Sequence, residues 1–264
     1  SYQAEGAATG WGGRAADLLM SGNSRSALTC VSVNGNALFL SGQNAISYQM
    51  STSGATTVNA IRSKSLFGSV TCANALQTLI TQSSAIPMAN DYSTVTKRAL
   101  DTYDGILSAI GTTASTTVNS LFPTSATNSL SAQLKMVARL IEQQSVLGIK
   151  RQVFMVGMGG FDLHDFLPTQ HPALLQKLSS AMKEFDDAMI SLGKSNQVTS
   201  FTASDFGRTL ASNGDGSDHG WGSHHLIMGG AVKGAAFYGT PPPVSVGDTN
   251  LPEDHWHVGQ GRLL

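Results

Sequence analysis

A short apolar run, a long helix and a second short run constrain the fold of this chain more than any other feature. The run Gln152-Val-Phe-Met-Val-Gly157 is typical of a strand buried on both faces of a sheet, because apolar residues occupy successive positions. A helical pattern from Pro172 to about residue 192 follows, ended by Gly193, and residues 197–203 predict the next strand. This strand-helix-strand spacing predicts a βαβ unit, and therefore an α/β fold with a parallel sheet.

The remaining segments predict additional helices and strands around this unit. Helical patterns occur in three segments, residues 11–20, 91–111 and 129–146. Strand pairs are predicted at 27–33 with 37–40 and within 44–62, and a third short C-terminal strand at Leu226–Met228. The Ser/Thr-rich segment 112–128 predicts a loop.

The length of 264 residues suits one α/β domain spanning the whole chain. We expect a core at 150–264 that carries the chemistry, and a small β/helical insertion at 20–128 that forms a cap. Sixteen basic against seventeen acidic residues leave no positive excess for a nucleic-acid backbone, and no apolar run approaches the roughly 20 residues that span a bilayer.

The two cysteines, Cys30 and Cys72, fit either one disulfide in an oxidising compartment or two buried thiols. A low charged fraction of 12%, together with 32 serines and 23 threonines, is more common in exported proteins.

Histidines and acids concentrate in the last two-fifths of the chain. All seven histidines lie at or after position 164, and eleven of the seventeen acids lie at or after position 162. Because ligands of parallel sheets bind beyond the carboxyl ends of the strands, the residues following each predicted strand are the candidates for a site.

Asp162 and His164 follow the first of these strands, in Gly159-Gly-Phe-Asp-Leu-His164. In an extended chain their side chains point the same way, which makes half of a metal site. The alternative interpretation is a turn or capping aspartate beside an exposed histidine.

Asp205 follows the second strand, in Ser204-Asp-Phe-Gly-Arg-Thr209. Arg208 offers a planar fork of donors that suits phosphate or sulfate. The alternative is an aspartate that caps a turn, with Arg208 on the surface.

A glycine-rich segment at 214–225 holds the densest group of candidate ligands, which are Asp218, His219, His224 and His225. Mixed nitrogen and oxygen ligands favour Zn, with Mn or Fe as alternatives, over Ca or Mg. A second histidine pair, His255 and His257, is as well explained by a loop without ligands. The sequence contains no Gly-x-Ser-x-Gly elbow, P-loop or well-placed dinucleotide fingerprint.

These motifs together resemble a known family. The segments 159–164, 204–209, 218–225 and 229–234 are similar to the C-terminal signature of domain-of-unknown-function family 1501, and Gly10-Trp-Gly-Gly-Arg14 and Gly259-Gln-Gly-Arg262 also resemble it. The family is placed with the alkaline phosphatase and sulfatase superfamily, and its members resemble exported bacterial proteins.

The resemblance implies an alkaline-phosphatase-like, doubly wound, mostly parallel sheet with helices on both faces and a metal centre at the strand ends. It implies metal ligation by Asp162, His164, Asp205 and His219, helped by Asp218, His224 or His225. Phe206 replaces the second ligand of the superfamily's strand-end dipeptide. We also expect the chain to be an internal or C-terminal fragment whose nucleophile precedes Ser1.

Two functions are therefore expected. The first is a periplasmic or extracellular metal-dependent hydrolase of small phosphate or sulfate esters, in which Arg208 clamps the anion. The second is a non-catalytic secreted binding or assembly protein with a structural or vestigial metal site.

Overall fold

The computed structural model describes residues 7–55, 58–110 and 116–240, and shows a mixed α/β protein. The chain divides into two compact units, which we call unit 1 (Ser1–Gly157) and unit 2 (Met158–Leu264). The sequence-based expectation of a single domain over 1–264, with a cap at 20–128 and a core at 150–264, stays a prediction.

The described residues of unit 1 combine seven helices with four strands. The helices are α1 (Trp11–Leu19), α2 (Asn59–Arg62), α3 (Val70–Thr81), α4 (Pro87–Ile110), α5 (Thr116–Ser120), α6 (Ser129–Glu142) and α7 (Gln144–Leu147). The strands are β1 (Cys30–Ser32), β2 (Tyr48–Ser51), β3 (Gly54–Ala55) and β4 (Val153–Met155).

These strands form one small mixed sheet in the order β3-β2-β1-β4. The central strand β1 is parallel to both β2 and β4, with Val31 opposite Tyr48 on one side and Phe154 on the other. The sheet packs on α1, where Ala16, Cys30, Leu40 and Ala45 form a buried cluster. Phe39 stands edge-on to Trp11, 4.7 Å between ring centroids.

The predicted strand at 37–40 is wrong. Leu38–Leu40 forms a 3₁₀ turn that buries Leu40 and leaves Leu38 exposed. A hairpin partner would need an edge of β1, but both edges are already paired with β2 and β4. The second predicted pair is confirmed, since β2 and β3 are antiparallel around residues 52 and 53.

The helices α4 and α6 were predicted from their apolar stripes, at 91–111 and 129–146, whereas α3 was not predicted. α6 buries Leu134, Val137 and Ile141 on its stripe, and α4 buries Leu100, Tyr103 and Ile106. Part of the predicted loop at 112–128 is helical, as α5, while residues 111–115 lie outside the described part.

Unit 2 contains α8 (Leu167–Ser191), β5 (Ser200–Phe201) and β6 (Ile227–Met228) within its described residues. α8 begins five residues before Pro172, so the predicted start is wrong. Pro168 occupies its first turn. Pro172 lies inside the helix and, because proline has no backbone N–H, removes one helical hydrogen bond.

β5 pairs antiparallel with β6, through Ser200–Met228 and Phe201–Ile227. The prediction that β4 and β5 belong to one parallel sheet is therefore wrong for the described residues. The parallel neighbour of β4 is β1, and β5 belongs to a different sheet. No helix in the described ranges combines the length and hydropathy needed to cross a membrane.

Candidate metal centre

The carboxylate of Asp162 lies between two imidazole rings in unit 2. Its Oδ1 is 2.8 Å from His219 Nε2 and 3.1 Å from His164 Nε2. One ligand atom from each of the three residues lies within 4.8 Å of the others. We call Asp162, His164 and His219 the Asp162 cluster. The structure thus brings the predicted Asp-x-His pair together with a histidine 55 residues further on.

The loop that carries His219 is held by a short antiparallel pairing. Arg208 N donates to the Gly222 carbonyl at 2.8 Å, and Thr209 N donates to the Asp218 carbonyl at 2.9 Å. A Cβ at Gly207 would lie 2.6 Å from the Gly220 carbonyl oxygen, so this approach requires glycine. The pairing places His219 opposite Arg208.

The residues before α8 are fixed by the 213–218 segment. Phe166, with φ of 56°, donates its N–H to Asp215 Oδ2 at 3.1 Å, and Leu167 N donates to the Asp215 carbonyl at 2.9 Å. A Cβ at Gly216 would clash with the His164 carbonyl. The two ligand-bearing segments are therefore joined by backbone contacts as well as by side chains.

Asp218 supports the cluster through His164. Its Oδ1 lies 3.1 Å from His164 Nδ1 and accepts a 3.0 Å bond from Asn213 Nδ2. Asn213 also donates to the His164 carbonyl at 3.1 Å. When His164 Nδ1 carries the proton toward Asp218, Nε2 presents its lone pair beside Asp162. A carboxylate that orients a ligating histidine in this way is a common feature of metal sites.

Both carboxyl groups are held ionised by their neighbours. The hydrogen bond from His219 lowers the pKa of Asp162, desolvation opposes this shift, and the charges of the two histidines and Arg208 lower the pKa further. The hydrogen bonds from His164 and Asn213 lower the pKa of Asp218. Ionised carboxylates are the form that ligates metal.

The guanidinium of Arg208 is hydrogen-bonded to groups of the site itself. Its guanidinium donates to the carbonyls of Ser217 and Phe161, the latter at 2.6 Å, and lies 3.4 Å from Asp162 Oδ1. Its side chain is 20% exposed, against 59% for Asp162. The Arg208 guanidinium, which was predicted to bind an anion, therefore uses at least three of its five N–H donors to position the loop and the Asp162 carboxylate.

Phe206 packs against the cluster. Its ring lies parallel to the His219 ring, with 4.1 Å between centroids and 7° between planes. The Arg208 guanidinium carbon lies 4.9 Å from the Phe206 centroid. Phe206, which occupies the position where the motif predicts a second ligand, thus packs against the candidate ligand His219.

The three residues of the Asp162 cluster could together hold a divalent cation. Two ligands at about 2.0–2.1 Å from a tetrahedral ion lie roughly 3.3 Å apart, close to the 2.8 and 3.1 Å found here. Two imidazole nitrogens and one carboxylate also suit Fe or Mn. The His164 and His219 side chains are 44% and 41% exposed, so a fourth position would face solvent.

Four predicted ligands lie outside this cluster. Asp218 contacts it through His164, and the other three are Asp205, His224 and His225. Asp205 has no hydrogen bond or ion pair to another described residue through its side chain, and the His224 ring lies 6.1 Å from the Trp221 ring. His225 is held by Thr202 Oγ1 at 3.3 Å and Ser223 Oγ at 3.0 Å. Their role as ligands stays a prediction. His255 and His257 fall outside the described residues.

Sequence reasoning missed Asn213 and the packing role of Phe206. Asn213 precedes Gly214, and an Asn-Gly pair signals a turn in which the amide can bond nearby groups. No local signal shows that a phenylalanine will stack on a histidine 13 positions away.

Comparison with known proteins identifies the family but not an activity. No curated protein and no solved structure matches the chain significantly. One family model matches residues 1–256, and its description is "Protein of unknown function (DUF1501)". Since this match covers nearly the whole chain, the protein belongs to the DUF1501 family.

Proposed function

We propose that this protein is an exported hydrolase of small phosphate or sulfate esters that uses a divalent cation, Zn before Mn or Fe, held by the Asp162 cluster. The observation that carries the proposal is the contact of one Asp162 oxygen with both His164 Nε2 and His219 Nε2. Three ligands with a solvent-facing fourth position are typical of catalytic zinc sites rather than of closed structural ones.

The chain's own groups would prepare this site for ester hydrolysis. Asp218 orients His164, Phe206 fixes the plane of His219, and Arg208 holds Asp162 and the Phe161 carbonyl. A bound cation would supply Lewis-acid stabilisation of the charge that develops on the ester oxygen. The remaining Arg208 donors would be available to an oxyanion at the rim of the site.

The proposal extends to the alkaline phosphatase and sulfatase superfamily and its doubly wound sheet. It is supported by two parallel strand pairs around β1 and by the Asp-x-His motif that follows β4 along the chain. Export to the periplasm or beyond is supported by the low charge and high hydroxyl content of the sequence. Fractionation of the native host, with the protein detected by antibody, tests this location.

The central test compares metal content and ester hydrolysis across matched variants. Protein purified without chelators is analysed by elemental mass spectrometry and assayed with aryl phosphates and aryl sulfates. We expect about one equivalent of metal in the wild type, and loss of metal and turnover together in Asp162→Asn. Asp165→Asn removes the same charge three residues away at an exposed position, and should change neither. A folded, metal-free wild type, or turnover that survives Asp162→Asn, would refute the hydrolase.

A second function is favoured by the commitment of Arg208 to the Phe161 and Ser217 carbonyls. An anion clamp needs free donors, whereas these bonds tie loops together as a structural site requires. In this case the protein binds or assembles without catalysis, and the metal stabilises unit 2. Asp162→Asn would then lower the melting temperature and remove metal, while no wild-type ester turnover is detected.

A further inference from the structure

Unit 1 contains an open cavity of about 560 Å³ whose lining residues are almost all of polar type. It is lined by residues of α4, by Thr81 and Ser83 at the end of α3, and by Ser24–Ala27. Its volume lies in the range of small-molecule sites, but its chemistry differs from most of them, because Ala27 is the one apolar residue in the lining and no lining residue is aromatic.

One face of α4 forms the longest wall. The lining residues recur at steps of three and four, as Asn90, Ser93, Thr94, Lys97, Arg98 and Thr102. These steps place them on one side of the helix. The apolar residues Leu100, Tyr103 and Ile106 bury a different side. The cavity-facing stripe is therefore polar along three turns, and core packing does not explain it.

The charges of the lining are mostly positive. Arg25, Lys97 and Arg98 face a single acid, Asp101, which leaves two net positive charges in a chain whose overall net charge is -1. Arg25 is anchored by a 3.1 Å bond from Nη1 to the Leu147 carbonyl. Within the described ranges, the side chains of Lys97 and Arg98 have no hydrogen-bond or ion-pair partner. The positively charged side chains of Lys97 and Arg98 therefore remain available to a ligand.

A mostly buried serine adds its hydroxyl to the same cavity. Ser93 is 8% exposed and lines the cavity, and its side chain forms no hydrogen bond with another described residue. Its hydroxyl is therefore available to bond water or a ligand group inside the cavity. Ser24, Ser26, Thr81, Ser83 and Thr94 supply further hydroxyls around it.

We propose that this cavity binds a small polyol that carries a phosphate or sulfate group, such as a sugar monoester. Lys97 and Arg98 would hold the tetrahedral oxyanion through charge-assisted hydrogen bonds, and Ser93 and the neighbouring hydroxyls would bond the polyol body. The lack of an aromatic platform disfavours nucleotides, whose bases bind by stacking. This inference does not rest on the metal centre, since every residue that carries it belongs to unit 1.

Calorimetric titration of the purified protein tests the proposal. Glucose 6-phosphate and glucose 6-sulfate are titrated separately, with glucose and inorganic phosphate as partial ligands, and EDTA is present throughout. We expect saturable binding of at least one sugar ester. Lys97→Gln with Arg98→Gln should weaken it at least about tenfold, because hydrogen bonds to charged groups are the strong ones. Both side chains are exposed, so this variant should fold.

Three comparisons decide the outcome. Arg62→Gln with Lys64→Gln removes the same charge from exposed positions outside the cavity, and should leave binding unchanged. Ser93→Ala should weaken the sugar ester more than inorganic phosphate. Asp162→Asn should have no effect, which separates this site from the metal centre. The proposal is overturned if no sugar ester binds, if both double variants weaken binding equally, or if inorganic phosphate binds as tightly as the esters.

Discussion

The ring of Phe206 stacks on the imidazole of His219, with 4.1 Å between centroids and 7° between planes. The stack covers one face of the imidazole, while its edge presents Nε2 to Asp162 at 2.8 Å. A side chain that cannot ligate a metal therefore controls the orientation of one that can. This relationship leads to the first prediction.

Replacing Phe206 by Ala should weaken metal binding about two- to tenfold, since an aromatic pair contributes roughly 0.5–1.5 kcal/mol beyond burial. Without the stack the His219 ring is free to rotate. Metal binding must then order the ring, and this entropy cost lowers the affinity for metal. Competition with a chromogenic chelator measures the change. Phe206→Tyr keeps the ring and should retain wild-type affinity. Equal affinity in the Ala and Tyr variants would show that the stack does not position His219.

Replacing Asp218 by Ala should weaken metal binding about 10- to 100-fold, because it removes the acceptor that orients His164. Asp218→Asn keeps an oxygen acceptor but loses the charge, and should fall between the wild type and the Ala variant.

Asp205→Ala is the matched comparison for Asp218→Ala. The motif predicts Asp205 to be a ligand, whereas the structure places it outside the Asp162 cluster. From the geometry we expect the metal affinity of this variant to equal that of the wild type. Loss of metal in Asp205→Ala would support the sequence-based assignment instead.

The difference between these two aspartates shows what sequence can predict of the site. Asp162 and His164 are in contact, as the prediction of two side chains on one side of an extended chain requires, but the chain turns here, since Leu163 N donates to the Phe161 carbonyl at 2.9 Å. Asp205, His224 and His225 were grouped with them by proximity to strand ends. The course of a glycine-rich loop is set by long-range backbone contacts such as Arg208 with Gly222, which no local pattern encodes.

The fold shows the same limit. The helices α4 and α6 were predicted because their apolar periodicity is local. The strands that pair with β1 were not predicted, because the sequence of a three-residue strand does not indicate which strand lies beside it. An apolar stretch as short as Leu38–Leu40 is equally compatible with a strand and with a turn, and tertiary packing decides between them.

The two thiols should differ sharply in reactivity. Cys30 is 1% exposed, and burial raises its pKa to about 11, whereas Cys72 is exposed. Both are free, so the structure matches neither a disulfide nor two buried thiols. Iodoacetamide at pH 8 should label Cys72 in the native protein and Cys30 only after unfolding, because the thiolate is the reactive form. Peptide mass spectrometry locates the label, and Cys72→Ser should stay unlabelled when native. If the unfolded protein contains no free thiol before reduction, the finding that Cys30 and Cys72 are both free is contradicted.

The stability of unit 1 should depend on the ionisation of Asp17. Its carboxylate accepts backbone N–H bonds from Ala45 at 2.7 Å, Gln43 at 2.7 Å and Asn44 at 2.9 Å, and so ties the 43–45 loop to α1. These three bonds, with that from Ala45 first, lower the pKa of Asp17 below its ordinary value of 3.8. A lowered pKa in the folded state means that the stabilisation is fully present above about pH 4 and is lost as the pH falls through the folded pKa.

Asp17→Asn should therefore be less stable than the wild type at pH 7 and 5, and the difference in free energy of unfolding should shrink below about pH 4. Urea unfolding followed by circular dichroism at each pH measures this difference. Asp91→Asn removes the same charge from an exposed position on α4, and should cost less stability at pH 7 because the Asp91 side chain accepts no hydrogen bond from the backbone of the described residues. A difference between Asp17→Asn and wild type that stays constant down to pH 2 would show that the charge of Asp17 does not hold the loop, and that the variant is destabilised by packing alone.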